Sequence, residues 1–170
     1  VMAFEKDLLT GRMLRHLHPD RKVRVEGFEK IEKPFNGHFD LALSNIPFGD
    51  IAVFDAEYEK RSIMYRAAAK KIHNYFFLKG LDAVRDGGIV AFLTSQGVLD
   101  SEGNNGTRFL MMRNADLLSV VRMPNNLFTE NANTEVGCDL IILQKNSRKE
   151  ELSEDDQLLK QTVKDNHTHV

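Results

Sequence analysis

A single cysteine among 170 residues excludes an internal disulfide and fits a reducing cytoplasm. Cys138 lies in an apolar run and reads as a small core residue. No apolar run approaches the roughly 20 residues that cross a bilayer, so no membrane partner is expected. The charged-then-apolar pattern of a signal peptide is also missing from the N-terminus. There is no basic surplus: 23 Lys and Arg face 25 Asp and Glu, for a net charge of −2. Nor does a basic stripe stand out, so any grip on nucleic acid is expected from elsewhere in a larger protein. The His16/His18 and His167/His169 pairs have no partners at zinc-ligand spacing. Residues 97–106 read as a polar, Gly/Asn-rich loop, and Gly103-Asn104-Asn105-Gly106 within it lacks the lysine and following hydroxyl of a phosphate loop and reads as flexible. No metal is expected.

What is present is enough apolar material, 42% of residues, for one domain with a sizeable core. Residues 1–4 read as a short strand, and so abrupt a start implies a chain cut from a longer one. Residues 7–17 carry Leu8, Leu9, Met13, Leu14 and Leu17 at helical spacing, ended by Pro19-Asp20. Strands are expected at 23–28, 39–43, 89–94, 117–123 and 136–144. A long helix is expected over 65–85, stopped by Asp86-Gly87-Gly88, and a short one over 108–113. Residues 50–62 read as a mobile loop, and 146–170 as a polar tail or linker. Alternating strands and helices imply an α/β fold with a mainly parallel sheet. In such sheets ligands bind beyond the carboxyl ends of the strands.

The most informative stretch is at one such end. Phe39-Asp40-Leu41-Ala42-Leu43 runs into Ser44-Asn45-Ile46-Pro47-Phe48-Gly49. An ordinary strand-to-loop turn also uses Asn, Pro and Gly. The chemistry on offer is nevertheless specific. An exocyclic amine on a purine is a poor nucleophile, because its lone pair is delocalised into the ring. It reacts better when its two hydrogens are held by acceptors that favour tetrahedral nitrogen. The Asn45 side-chain oxygen can hold one and the Ile46 carbonyl the other. Pro47 restricts Ile46 to extended conformations, and Phe48 offers a ring face for stacking. A base in a duplex reaches such a pocket only when flipped out.

Asn45-Ile46-Pro47-Phe48 resembles the Asn-Pro-Pro-Phe/Tyr motif of S-adenosylmethionine-dependent amino-methyltransferases, above all the DNA adenine methylases. The resemblance covers residues 1–145 and implies a Rossmann-like class I methyltransferase fold, with residues 1–145 as a partial catalytic domain. It implies S-adenosylmethionine as cofactor and DNA as partner through the full-length protein. Phe4-Glu5-Lys6-Asp7 matches the second strand end, where Glu5 would bind the cofactor ribose, though a helix-start charge explains it as well. Gly27-Phe28-Glu29 matches the third strand end, where Phe28 would pack on the cofactor adenine and Glu29 would accept from its amine. His73-Asn74-Tyr75-Phe76-Phe77 resembles the helix after the catalytic loop, although core packing is the simpler account of Phe76. Residues 88–95 resemble the next strand, so that Ser95 and Gln96 would border the target-base pocket. Residues 124–128 and 134–136 resemble the late target-side loop and final strand of large bacterial adenine methylases.

Two departures matter. The first Pro of the motif is Ile46, which loses the restraint of that ring. The same substitution occurs in large helicase-linked methylases of mobile elements, which the chain also resembles. The family's first strand and Gly-rich loop, which hold the methionine end of the cofactor, have no match, and that strand normally lies between the strands ending at Glu5 and Asn45. The sheet must close up, be completed by a second copy or an upstream domain, or leave costly unpaired groups. An isolated chain is therefore expected to be a poor enzyme. Two other functions stay open: methyl transfer to a protein glutamine or an RNA base amine, and a non-catalytic DNA-recognition module.

Overall fold

The computed structural model describes residues 1–124 and 137–160. Residues 125–128 and 134–136 of the target-side segments, and the His167/His169 pair, lie outside the described residues. The chain divides into two compact units, residues 1–34 and a second that starts at Phe35.

In the first unit, β1 (Met2–Phe4) and β2 (Lys22–Arg24) pair in parallel, joined through helix α1 (Leu8–Leu17). Asp7 caps α1 by accepting from the Thr10 N–H at 2.7 Å. Gly11 lets α1 approach Val25, since a β-carbon there would lie 2.7 Å from a Val25 methyl. The strand expected at 23–28 is shorter, because Phe28 already begins a 3-10 turn over Phe28–Lys30. The helix expected from apolar spacing is there, but Leu8, Leu9, Met13 and Leu17 are all exposed.

The second unit is built on four strands in the order β3 (Phe39–Asn45), β4 (Val84–Ser95), β6 (Cys138–Lys145), β5 (Ala115–Arg122). β3 and β4 are parallel, and β6 runs antiparallel between β4 and β5. Three of the four strands thus share one direction, as expected for a mainly parallel sheet. Val90, Phe92 and Thr94 alternate inward along β4. Helix α4 (Ile72–Ala83) packs on that strand, and Gly80 makes this possible: a β-carbon there would sit 2.8 Å from the Phe92 ring. Cys138 is fully buried, in keeping with its apolar setting.

The expected long helix is two, α3 (Ile63–Ala69) and α4. Lys71 between them is extended, and the Ala69 carbonyl near the end of α3 accepts from the Val53 N–H at 2.8 Å. Nor do the glycines stop α4. It ends at Ala83, and Gly87 (φ +75°) serves a bulge in which Val84 and Ile89 face Phe39 and Leu41.

Residues 50–62 are not a mobile loop. They hold α2 (Ala56–Glu59), with Tyr58 fully buried. Asp55 caps α2 through the Glu57 N–H and accepts from Lys79 Nζ at 2.9 Å and the Tyr75 hydroxyl at 2.7 Å. Burial pushes the Asp55 carboxyl up, but Lys79, Tyr75 and the Glu57 N–H together hold it below its ordinary 3.8. Tyr58 donates to Asp82, which also pairs with Arg61 at 2.9 Å.

The segment 97–106 is ordered too. It contains α5 (Gly97–Asp100) and leads into α6 (Asn105–Asn114). The reason is Arg108, fully buried, whose guanidinium donates to the Val98 and Ser101 carbonyls at 2.9 Å each. Beyond β6, Lys149 joins Asp156 of α7 (Glu154–Lys160) at 2.6 Å and Asp116 of β5 at 3.1 Å. Among the described residues no helix is long and apolar enough to cross a membrane.

Lys79 and Asp55 are each only 6% exposed. Removing the cation leaves an unpaired buried carboxylate, so Lys79→Met is expected to cost about 3–5 kcal/mol, read as a lower denaturant midpoint at neutral pH. The penalty should shrink as pH falls, first as the variant's Asp55 takes up a proton, because burial without Lys79 pushes that carboxyl up, and last as the wild-type Asp55 is protonated below 3.8. A midpoint loss independent of pH would show that the pair is not the source.

Candidate functional site

β3 and β4 end together. Asn45 lies opposite Leu93, and the Ile46 N–H continues the ladder by donating to the Leu93 carbonyl at 2.9 Å. The Ile46 side chain is fully buried in the core beneath the sheet. A ladder hydrogen bond and a buried side chain therefore supply the restraint that a proline ring would have given. Pro47 and Phe48 emerge exposed, and Gly49 (φ +144°) turns the chain away in a conformation that side chains resist.

Phe48 forms one wall of a cavity of about 290 Å³, shared with Asp50, Lys71, His73, Asn74, Ser95 and Asn104. Ser95 is thus in the cavity wall. Gln96 is not: its N–H donates to the Gly137 carbonyl at 3.1 Å at the start of β6. Asn45, Ile46 and Pro47 do not line this cavity either. The Asn45 side chain is exposed, on the face of β3 that also carries exposed Leu41 and Leu43. The cavity lies beside the strand tip rather than under it.

Five polar residues to which sequence reasoning gave no role, Lys71, His73, Asn74, Thr94 and Asn104, organise the wall. His73 Nδ1 and Thr94 Oγ1 lie 2.9 Å apart, and the His73 ring sits 6.2 Å from that of Phe48. Asn104 donates to the Gly97 carbonyl at 2.7 Å, which leaves its oxygen to accept from Asn74 at 2.9 Å and Lys71 at 3.2 Å. This chain of amides fixes the orientation of Asn74, whose own oxygen is buried with no partner among the described residues. A signal for Asn74 existed: it is a polar residue inside the apolar run 72–78. Asn104 had none, sitting in what reads as a Gly/Asn loop.

The expected cofactor residues belong to the first unit. Glu5 follows β1, and its carboxylate accepts from the Asp7 N–H at 2.8 Å. Phe28 packs edge-on to Phe4, with ring centroids 5.8 Å apart. Glu29 folds its carboxylate over Gly27.

A family model described as N-6 DNA methylase matches residues 14–168. The chain belongs to this family. Over 148 residues, 84% of its length, it is 26% identical to the defense against restriction protein B of Escherichia phage P1. It spans only 6% of that protein. Among solved structures, a modification subunit assigned to a type I restriction enzyme of Vibrio vulnificus YJ016 superposes with a TM-score of 0.66 at 18% identity, over 84% of this chain and 32% of that one. The M protein of the type I restriction enzyme EcoKI gives 0.65 at 18%, over 85% and 30%. At these identities the likeness is one of fold, shared with type I modification subunits, and the class I methyltransferase fold expected from the sequence is the one observed.

Burial lowers the His73 pKa below 6.5, so the ring is neutral at pH 7. The folded state then binds this proton less readily than the unfolded chain. Its contribution is complete above 6.5 and is lost as pH falls toward the lowered value. His73→Gln is expected to flatten the stability–pH curve below 6.5, measured by urea midpoints at pH 5 to 8. An unchanged curve would assign that slope to other groups.

Proposed function

We propose that this chain forms the target-amine part of an S-adenosylmethionine-dependent DNA adenine methyltransferase, within a larger modification protein. The observation that carries this reading is the Asn45–Phe48 tip. It stands at the carboxyl end of parallel strand β3, its main chain locked to β4 by the Ile46–Leu93 hydrogen bond, in a chain of the N-6 DNA methylase family.

The chemistry follows from what the tip presents. Exposed Asn45 offers a carboxamide oxygen to one hydrogen of the adenine amine, and the Ile46 carbonyl takes the other. With both hydrogens held, the nitrogen lone pair is drawn out of the ring. Phe48 stacks on the flipped base, backed by His73. Ser95 lines the neighbouring cavity, which Phe48 shares. Because nothing is bonded covalently to the protein, its contribution is position, worth about 7–11 kcal/mol in well-oriented intramolecular models.

S-adenosylmethionine would supply the electrophilic sulfonium methyl. The first unit fits part of it: one Glu5 oxygen is engaged by the Asp7 N–H, leaving the rest of the carboxylate for ribose hydroxyls, and Phe28 offers an aromatic surface for adenine. Glu29 would accept from the adenine amine. No Gly-rich turn in the chain is available for the methionine end. Among the described residues β3 pairs only with β4, so its other edge is open to a strand from the larger protein or a second copy.

The test is tritium transfer by the intact protein to adenine-containing duplex, with a glutamine peptide and RNA as rival acceptors. Asn45→Ala should lower transfer to duplex by about 10²–10³, the usual cost of one preorganised polar group, with binding of duplex retained. Unchanged transfer removes Asn45 from the mechanism, and label in peptide or RNA alone replaces the acceptor. In a separate measurement, calorimetry of the isolated 170 residues with S-adenosylmethionine should give little or no heat. Micromolar affinity would mean that the methionine end is held by residues already present.

A further inference from the structure

The strongest feature that the target site does not use lies in the first unit. Residues 12–24 carry five Arg or Lys against one acid, Asp20, a net of +4 in a chain whose total is −2. They are spread over a helix, a turn and a strand, which is why no basic stripe is visible in the sequence. Folding corrects that impression. Arg12, Arg15 and His16 of α1, Arg21, and Lys22 and Arg24 of β2 line one open cleft of about 740 Å³, whose walls contain no acidic residue.

The cleft is built in two tiers. Two of its guanidinium groups are held in place. Arg15 Nε donates to the Val23 carbonyl at 3.0 Å, and Arg24 pairs with Glu32 at 2.6 Å and Glu26 at 3.3 Å. The other three cations, Arg12, Arg21 and Lys22, are exposed and enter no ion pair among the described residues. Unpaired like charges gathered on one wall repel one another. No acidic residue lines the cleft to offset that repulsion, whereas a polyanion would. The cleft is open, and six of its eight lining residues are basic or histidine. Successive phosphates on a strand suit it better than a single anion.

We propose that this cleft holds the phosphate backbone of double-stranded DNA, without reading sequence, and anchors the duplex through Arg12, Arg21 and Lys22. The inference rests on the reading of the chain as part of a DNA-modifying protein, and it assigns that protein a contact outside the Asn45 tip. Such contacts release counterions, so each one adds about 0.9 to the slope of log affinity against log salt.

The experiment uses the intact protein and a duplex, with binding measured from low to moderate salt. The triple variant Arg12→Ala/Arg21→Ala/Lys22→Ala should reduce the salt slope by about two to three and weaken binding equally for unrelated duplex sequences. All three side chains are exposed, so the melting curve should not move. The charge-keeping variant Arg12→Lys/Arg21→Lys should retain the slope, since a phosphate contact needs only a cation. An unchanged slope in the triple variant overturns the proposal. So does a loss confined to an acidic polypeptide such as polyglutamate, which would make the cleft a protein-binding surface. Asn45→Ala, assayed alongside, should keep the wild-type slope while losing methyl transfer. Failure of the transfer chemistry is thus read separately from failure of the anchor.

Discussion

The parallel register of β3 and β4 is the constraint on which the site depends. Two neighbouring strands that run the same way must finish at the same edge of the sheet, and here they deliver Asn45 and Ser95 to it. The Ile46 N–H adds one more rung beyond the strand, and the Ile46 side chain is sunk in the core. The main-chain carbonyl at this position is therefore fixed by packing and hydrogen bonding together. A tip anchored in this way can hold polar groups in the orientation a reaction needs without reorganising them at the moment of use.

Buried polar groups do the same for the surrounding segments. Asp55 gathers Lys79 and Tyr75 under α2, while Arg108 gathers two carbonyls under α5. Each converts a polar stretch into a rigid wall. Their removal is costly because a buried charge without its partner has no water to turn to. Order near the cavity thus comes from charges inside the protein as much as from apolar contact.

This is also where the sequence stops being legible. Apolar period and strand–helix alternation located β1, α1, β3, β4, β5 and β6, and the Asn45 motif fell at a strand end as read. Hydropathy cannot report a charge that is buried because it is paired. Residues 50–62 and 97–106 therefore looked loose, although Asp55 and Arg108 tie them down. The same blindness hid the Asn74–Asn104–Gly97 chain. The break between α3 and α4 was invisible for another reason: Ala67 to Lys71 are good helix formers, and what ends α3 is Val53, eighteen positions before Lys71 in the chain.

The free flank of β3 has a practical consequence. Leu41 and Leu43 stand 49% and 69% exposed beside a row of backbone groups that no described strand pairs. Neither a proline nor a bulge interrupts the central stretch of that flank, and a bare strand of this kind recruits others like it. With that edge uncovered, the polypeptide is prone to edge-to-edge aggregation. A lysine introduced at Leu43 would act as a gatekeeper for preparing soluble material.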